Sequence, residues 1–176
     1  SSFAKESDYK YKETKELVKL VENAVAMINI HGEKAFKQFR KKGSVWFQGD
    51  RYVFVDSMEG VEIVNPLFPS VEGKNIIDLQ DKGGRYIVEN YIREVYQYGK
   101  NKPSGWFHYL WPITEGGEVK WKTSYVAKAT SPDGIDYVVG SGLYNMKMEK
   151  MFMMDAVNDA IDLMQKKGVD KALKSI

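Results

Sequence analysis

The sequence predicts an α+β domain built on a five-stranded antiparallel sheet, with a long N-terminal helix on one face and a C-terminal helix. Three observations carry this. Strand-like runs come in groups joined by tight turns, a pattern that favours antiparallel pairing over alternating βα units. Helical periodicity is confined to the two ends and one internal stretch. The segment Gly105-Trp106-Phe107-His108-Tyr109-Leu110-Trp111-Pro112 packs four aromatics and one of the two histidines into eight residues, a strand composition bounded by Pro103-Ser104-Gly105 and by Pro112.

From about Tyr9 to Ile30, Leu17, Leu20, Val21, Ala24, Val25 and Ile28 recur at helical spacing, giving the long amphipathic helix. Gly32 breaks it, and Glu33 to Lys42 continues as a shorter helix burying Ala35, Phe36 and Phe39 before Gly43. Tyr52-Val53-Phe54-Val55 is a strand, turned by Met58-Glu59-Gly60 into a second strand over Val61 to Val64, which Asn65-Pro66 and Pro69 close. Asn75 to Leu79 forms a short turn. After Gly83-Gly84, Tyr86, Ile87, Tyr91, Ile92, Val95 and Tyr96 share a broad face of a helix that Gly99 ends. The aromatic strand follows, apolar on both faces and therefore expected at the centre of the sheet, with Trp106, His108 and Leu110 on one side and Phe107, Tyr109 and Trp111 on the other. Gly116-Gly117 turns it into Trp121 to Ala129, Ser131-Pro132-Asp133-Gly134 turns that into Ile135 to Ser141, and helical period returns from about Met146 to Gln165. The chain divides as a helical segment over 1–42, a core over 43–145 and a C-terminal helix over 146–176. Val21, Ala24 and Gly32 recur at a constant offset as Val157, Ala160 and Gly168, followed by Lys34-Ala35-Phe36 and Lys171-Ala172-Leu173. The match is either chance between amphipathic helices or the start of a second copy of the module, which would continue past Ile176.

With 176 residues and 43% hydrophobic content the chain suits one domain. Its 26 basic and 24 acidic residues are interspersed, for a formal charge of +2, so nothing in it is a footprint for nucleic acid. The absence of cysteine removes thiol chemistry and is compatible with an oxidising compartment. No apolar run approaches the roughly 20 residues that span a bilayer. Two histidines are too few for most acid–base constellations, and neither a nucleophile elbow, a zinc spacing nor a phosphate-cradling glycine loop is present. The expectation is a protein without cofactor, metal or catalytic residues, and catalysis through Asp56 or Asp136 would contradict it.

Gly105 to Pro112, then Lys122-Thr123-Ser124-Tyr125-Val126 and Val139-Gly140-Ser141-Gly142-Leu143-Tyr144, resemble the single-module Cache domains, extracytoplasmic sensors of bacterial and archaeal chemoreceptors and sensor histidine kinases. Upstream, Gly43-Ser44-Val45-Trp46-Phe47, Tyr52-Val53-Phe54-Val55, Asn65-Pro66 and Glu72-Gly73-Lys74-Asn75 fall in the family's order, so the resemblance runs from about Val21 to Tyr144. It implies a PAS-like sheet, a long helix behind it and a small-molecule pocket on its other face, with small carboxylates such as acetate, propionate or pyruvate as ligands. It also implies an extracytoplasmic location and a membrane-anchored output module in cis. A homodimer is compatible with it. A free-standing periplasmic binding protein and a ligand-free interaction domain are the alternatives. The chain departs from the family at Asn65, where histidine is common, at Glu59-Gly60, where Asp-Gly is, and at Asn145-Met146-Lys147, where acidic residues are.

A pocket for a small carboxylate needs an apolar wall and charge-assisted donors. Lys122, mid-strand, is either an edge-blocking charge or an anion partner. The resemblance favours the second, with Ser124 on the same face. His108 is a core histidine or a ligand contact, and Trp46, Trp106 and Trp111 are core residues or pocket walls. The hydroxyl of Tyr52 marks the Tyr52–Phe54 face as the pocket side, leaving Val53 and Val55 for the helix. Tyr125 and Tyr144 seal the sheet's edge or touch ligand. Met146, Met148, Met151, Met153 and Met154 read as flexible packing. The expected ligand-binding set is Trp46, Tyr52, Phe54, Asn65, Trp106, His108, Lys122, Ser124 and Tyr144.

Overall fold

Helix α1, Lys12–His31, opens the fold of the chain, known from a computed structural model that describes residues 5–96 and 103–170. Its apolar stripe buries Leu17, Val18, Leu20, Val21, Ala24, Val25 and Ile28, as the helical spacing requires. A 3₁₀ turn, Gly32–Ala35, and a single helical turn, α2 (Phe36–Phe39), follow. The strands are β1 (Phe47–Gln48), β2 (Arg51–Ser57), β3 (Glu62–Val64), β4 (Ser104–Pro112), β5 (Val119–Thr130) and β6 (Asp136–Tyr144). Helix α3, Ile87–Tyr96, precedes β4, and α4, Lys150–Lys167, ends the described chain.

The sheet is antiparallel throughout, in the order β1-β2-β6-β5-β4, with β3 also paired to β2. The two-residue β1 brings the strand count to six where sequence suggested five. The PAS-like arrangement of one sheet with a long helix behind it is present. The aromatic strand β4 is not central: it is the last strand of the path, pairing only with β5. It tolerates the edge because both faces are covered. Trp106 packs on Tyr9 and on Phe152 of α4, whereas Phe107 and Tyr109 pack on Tyr91 of α3. Along its outer edge the Asp155 carboxylate accepts the Trp106 N–H and the Asp81 carboxylate accepts the Leu110 N–H, each at 2.9 Å.

Strand alternation sorts the core into two layers. Behind the sheet, Val53, Val55, Tyr125, Ala127, Tyr137 and Val139 meet α1. In front, Tyr52, Phe54, Tyr109, Val126 and Val138 meet α3 and the segment after β3 through Phe68, Ile87, Val88 and Tyr91. On α3, Val88 joins the buried face, but Tyr86 and Tyr96, expected there, are exposed. They sit at the two ends of the apolar stripe, where the helix leaves the sheet. The expected stop at Gly99 lies outside the described residues, as does the expected Lys171-Ala172-Leu173 match. Of α4 only Phe152 and Leu163 are buried, and Met148, Met153 and Met154 are exposed.

Two glycines fix the front layer. At Gly60 the backbone is left-handed (φ 89°) and a Cβ would fall 2.6 Å from the Ile77 Cβ. At Gly140 the Phe54 ring occupies the space a side chain would need, with Cζ 2.3 Å from the position of a Cβ. Both positions require glycine, for the turn and for the approach of Phe54 to the sheet.

Candidate functional site

On the front face, side chains from four strands converge beneath α3. β2 contributes Tyr52, Phe54 and Asp56; its partner β3 contributes Glu62; β5 contributes Lys122 and Ser124; β4 contributes Tyr109 and Trp111. A cavity of about 20 Å³ is lined by Tyr52, Phe54, Glu62, Asn65, Ile76, Leu79, Ile87, Val88, Tyr91, Tyr109 and Trp111, with Lys122, Ser124 and Asp56 behind Tyr52, Tyr109 and Glu62. The strands form its floor, and α3 with the 65–86 segment forms its lid. A volume of this order holds about one water-sized guest, so a larger ligand enters only if the lid moves outward.

One end of the cavity is cationic. Lys122 is 1% exposed, its ammonium donates to the Tyr52 hydroxyl at 2.9 Å, and it lies 4.2 Å from the Tyr52 ring centroid with the Tyr144 ring at 5.5 Å. Burial pushes the amine down from 10.5 to about 7, partly opposed by the charges of Glu62 and Asp50. Since Tyr52 accepts from Lys122 with its oxygen, its own proton is left to donate, and a hydroxyl that accepts from an ammonium is a strengthened donor. Lys122 thus reaches the cavity through Tyr52. Nearby, the Trp111 indole N–H is buried and close to the Tyr52 hydroxyl without reaching hydrogen-bond geometry.

The other end is acidic. Asp56 and Glu62 are cross-strand partners, 0% and 4% exposed. Burial raises both carboxyls, Asp56 to about 7 and Glu62, with Asp56 beside it, well above its ordinary value. Two adjacent buried carboxyls cannot both ionise cheaply, so the pair holds one proton near neutrality. The Asn65 amide donates to Glu62 at 2.9 Å while its carbonyl oxygen accepts the Phe68 N–H at 3.2 Å, fixing the segment that turns over the cavity. Both oxygens of Asp56 are buried and receive no N–H or hydroxyl donor, so the pair's proton is what joins Asp56 to Glu62. Between the two ends, the Tyr109 hydroxyl meets Ser124 Oγ at 3.0 Å, with the Tyr91 hydroxyl adjoining them.

Of the nine residues expected at the site, Tyr52, Phe54, Asn65, Lys122 and Ser124 come together here. Tyr144 contributes its ring to Lys122 while its hydroxyl donates to the Pro112 carbonyl at 2.6 Å. Trp46, Trp106 and His108 do not join them. Trp46 packs on Phe39 behind the sheet, the Trp106 indole donates to the Tyr9 hydroxyl at 3.1 Å, and His108 contacts Thr123 Oγ1 at 2.9 Å and the Phe152 ring. The register pairs Trp106 with Tyr125 and His108 with Thr123, both rear-facing positions of β5, so alternation carries them away from Lys122. Burial, with Arg85 nearby, lowers the His108 imidazole from its ordinary value and keeps it neutral. Sequence reasoning missed Glu62, Asp56, Tyr91 and Tyr109. Alternation puts Tyr109 on one face with Phe107 and Trp111, but its place opposite Lys122 depends on the β4–β5 register. Elsewhere, Glu94, Asp155 and Asp159 bring carboxylate oxygens within 4.8 Å of one another, but all three are engaged by other groups of the chain.

A family model for the single Cache domain 2 matches residues 5–155. No curated protein matches the chain significantly. Among solved structures, the chain is similar to a methyl-accepting chemotaxis protein from Vibrio parahaemolyticus, at 24% identity over 75% of this chain and 88% of that one, TM-score 0.58. It is also similar to a periplasmic sensor domain of a chemotaxis protein, at 27% identity over 73% of this chain and 87% of that one, TM-score 0.56. A third is a Cache chemosensory domain solved for the structural basis of its carboxylic acid recognition, at 23% identity over 76% and 94% of the two chains, TM-score 0.60. At these identities the likenesses are likenesses of fold.

Proposed function

The chain belongs to the single Cache domain 2 family, and from that premise we propose that it is the extracytoplasmic ligand-sensing domain of a membrane signalling receptor and that its ligand is a small carboxylate. The observation that carries the ligand class is the buried Lys122 ammonium joined to the Tyr52 hydroxyl at the end of an aromatic-lined cavity. A carboxylate placed against Tyr52 accepts a charge-reinforced hydrogen bond and repays part of the lysine's desolvation. Phe54, Ile87 and Val88 take its alkyl portion.

Signal transfer follows from the lid. Ile87, Val88 and Tyr91 of α3 line the cavity, and α3 leads into β4, whose rear face holds Phe152 of α4 through Trp106. A ligand that lifts α3 changes the seat of α4, and it biases the equilibrium by its differential affinity for the two positions. In this reading a membrane-anchored output module lies in the same polypeptide. Among the described residues no helix is long and apolar enough to cross a membrane.

Thermal unfolding of the protein, stripped of ligand by denaturation and refolding, against a panel of small carboxylates tests the reading. Binding at a hundredfold excess over Kd adds about 2.7 kcal/mol of stability. The expected result is a rise in Tm with one or more carboxylates that Tyr52→Phe and Lys122→Met reduce. No rise across the panel, or consumption of the bound acid, would overturn it.

A further inference from the structure

Resting on the carboxylate reading, we propose that the ligand also carries a hydrogen-bond donor, hydroxyl or ammonium, on the carbon beside its carboxylate, and that the Asp56–Glu62 pair receives it.

The cavity is bipolar. Tyr52, backed by Lys122, is a donor end; Glu62, which lines the wall with Asn65, is an acceptor end backed by Asp56. A simple alkanoate satisfies only the first, turning its methyl groups toward the buried Glu62 carboxyl in the wall and the Asp56 carboxyl behind it. Buried acceptors left without donors are penalised, and a site built around such acceptors rejects the analogue that lacks the donor. A bound carboxylate brings a further acid to a site that already buries Asp56 and Glu62, and an ammonium or hydroxyl on the neighbouring carbon gives Glu62 a donor. The surrounding rings of Tyr52, Phe54, Tyr91 and Trp111 favour an ammonium at their faces. The small cavity, its floor closed by the Phe54 ring seated on Gly140, limits the skeleton to a few carbons.

Isothermal titration calorimetry of the ligand-stripped 176-residue chain with propionate, lactate and L-alanine tests this. These three share one carbon skeleton and differ only at the second carbon. Lactate or L-alanine is expected to bind at least tenfold more tightly than propionate, and the winner distinguishes hydroxyl from ammonium. Glu62→Gln should bring the ratio of lactate or L-alanine affinity to propionate affinity down to near one, and Tyr52→Phe should weaken all binding ligands alike. Asp56→Asn, a smaller perturbation, serves the same purpose if Glu62→Gln does not fold. Propionate binding as tightly as both others, or an advantage that survives in the acid-pair variants, overturns the inference while leaving the carboxylate reading intact. Absence of binding by all three overturns both.

Discussion

Replacing Lys122 by methionine should stabilise the protein at neutral pH. The side chain is 1% exposed and its nearest polar contact is a neutral hydroxyl. Burial lowers its pKa from 10.5 to about 7. At about 1.4 kcal/mol per unit, that depression corresponds to about 5 kcal/mol of penalty on the charged form. Below pH 7 both folded and unfolded chains carry the proton and the penalty is constant. Between pH 7 and 10.5 the unfolded chain binds more protons than the native one, so stability from this group rises with pH. Methionine fills much the same volume without the charge. The gain is capped by the lost attraction to Glu62, which then keeps its proton to higher pH, and replacements of buried charges by apolar isosteres return about 1–4 kcal/mol. Urea unfolding of both proteins from pH 6 to 10 should therefore give a Lys122→Met advantage in that range at pH 6–7, shrinking toward zero by pH 10. A variant more than about 1 kcal/mol less stable than wild type at pH 6–7, or a difference that is flat with pH, would refute the argument that Lys122 is retained against its own desolvation cost.

Asp56→Asn should act with the opposite sign of pH dependence. The folded carboxyl is raised from 3.8 to about 7, so its contribution is full below pH 4 and lost as pH rises through 7, with a slope of up to about 1.4 kcal/mol per unit. The asparagine variant should be the more stable at pH 8 in the same denaturant series. Gly140→Ala drives a methyl to within 2.3 Å of the Phe54 ring and should cost about 1–3 kcal/mol, read as a fall in urea midpoint at constant m. His108→Ala, altering only the rear face, should leave carboxylate affinity by calorimetry within about twofold of wild type. Glu149 accepts the N–H groups of Lys10 and Tyr11 at 2.9 and 2.8 Å, tying the entry of α1 to the start of α4. Glu149→Gln should cost about 1–2 kcal/mol and speed amide exchange at Lys10 and Tyr11.

Much of the front layer is legible in the sequence because alternation within a strand is rigid. Tyr52 and Phe54 had to oppose Val53 and Val55, and Lys122 had to side with Ser124. What a single strand cannot reveal is which of its faces matches which face of its neighbour, and that depends on register across long stretches of chain. Chemistry alone groups Trp106 and His108 with Lys122, yet pairing puts them with Tyr125 and Thr123. The same non-local pairing decides that β4 is an edge. Asp56 and Glu62 read as polar strand ends beside a turn, and only the short β2–β3 ladder, with its bulge between Val55 and Asp56, turns them into a buried pair. The amphipathic pattern of α3 marks a buried face without saying that the face covers a cavity.

The two carboxylates on the outer rim of β4 have a consequence for how copies of this protein behave at high concentration. Gly105 to Trp111 is nearly uncharged and rich in aromatics, the composition of segments that recruit one another into intermolecular sheets. An approaching strand must find open amides along the rim, and those of Trp106 and Leu110 are already occupied by Asp155 and Asp81. Each acid arrives from a separate segment of the chain, so loosening one leaves the other in place. The rim therefore presents negative charge where a neighbour would need unpaired N–H groups, and edge-to-edge growth into fibres is blocked while the native loops hold.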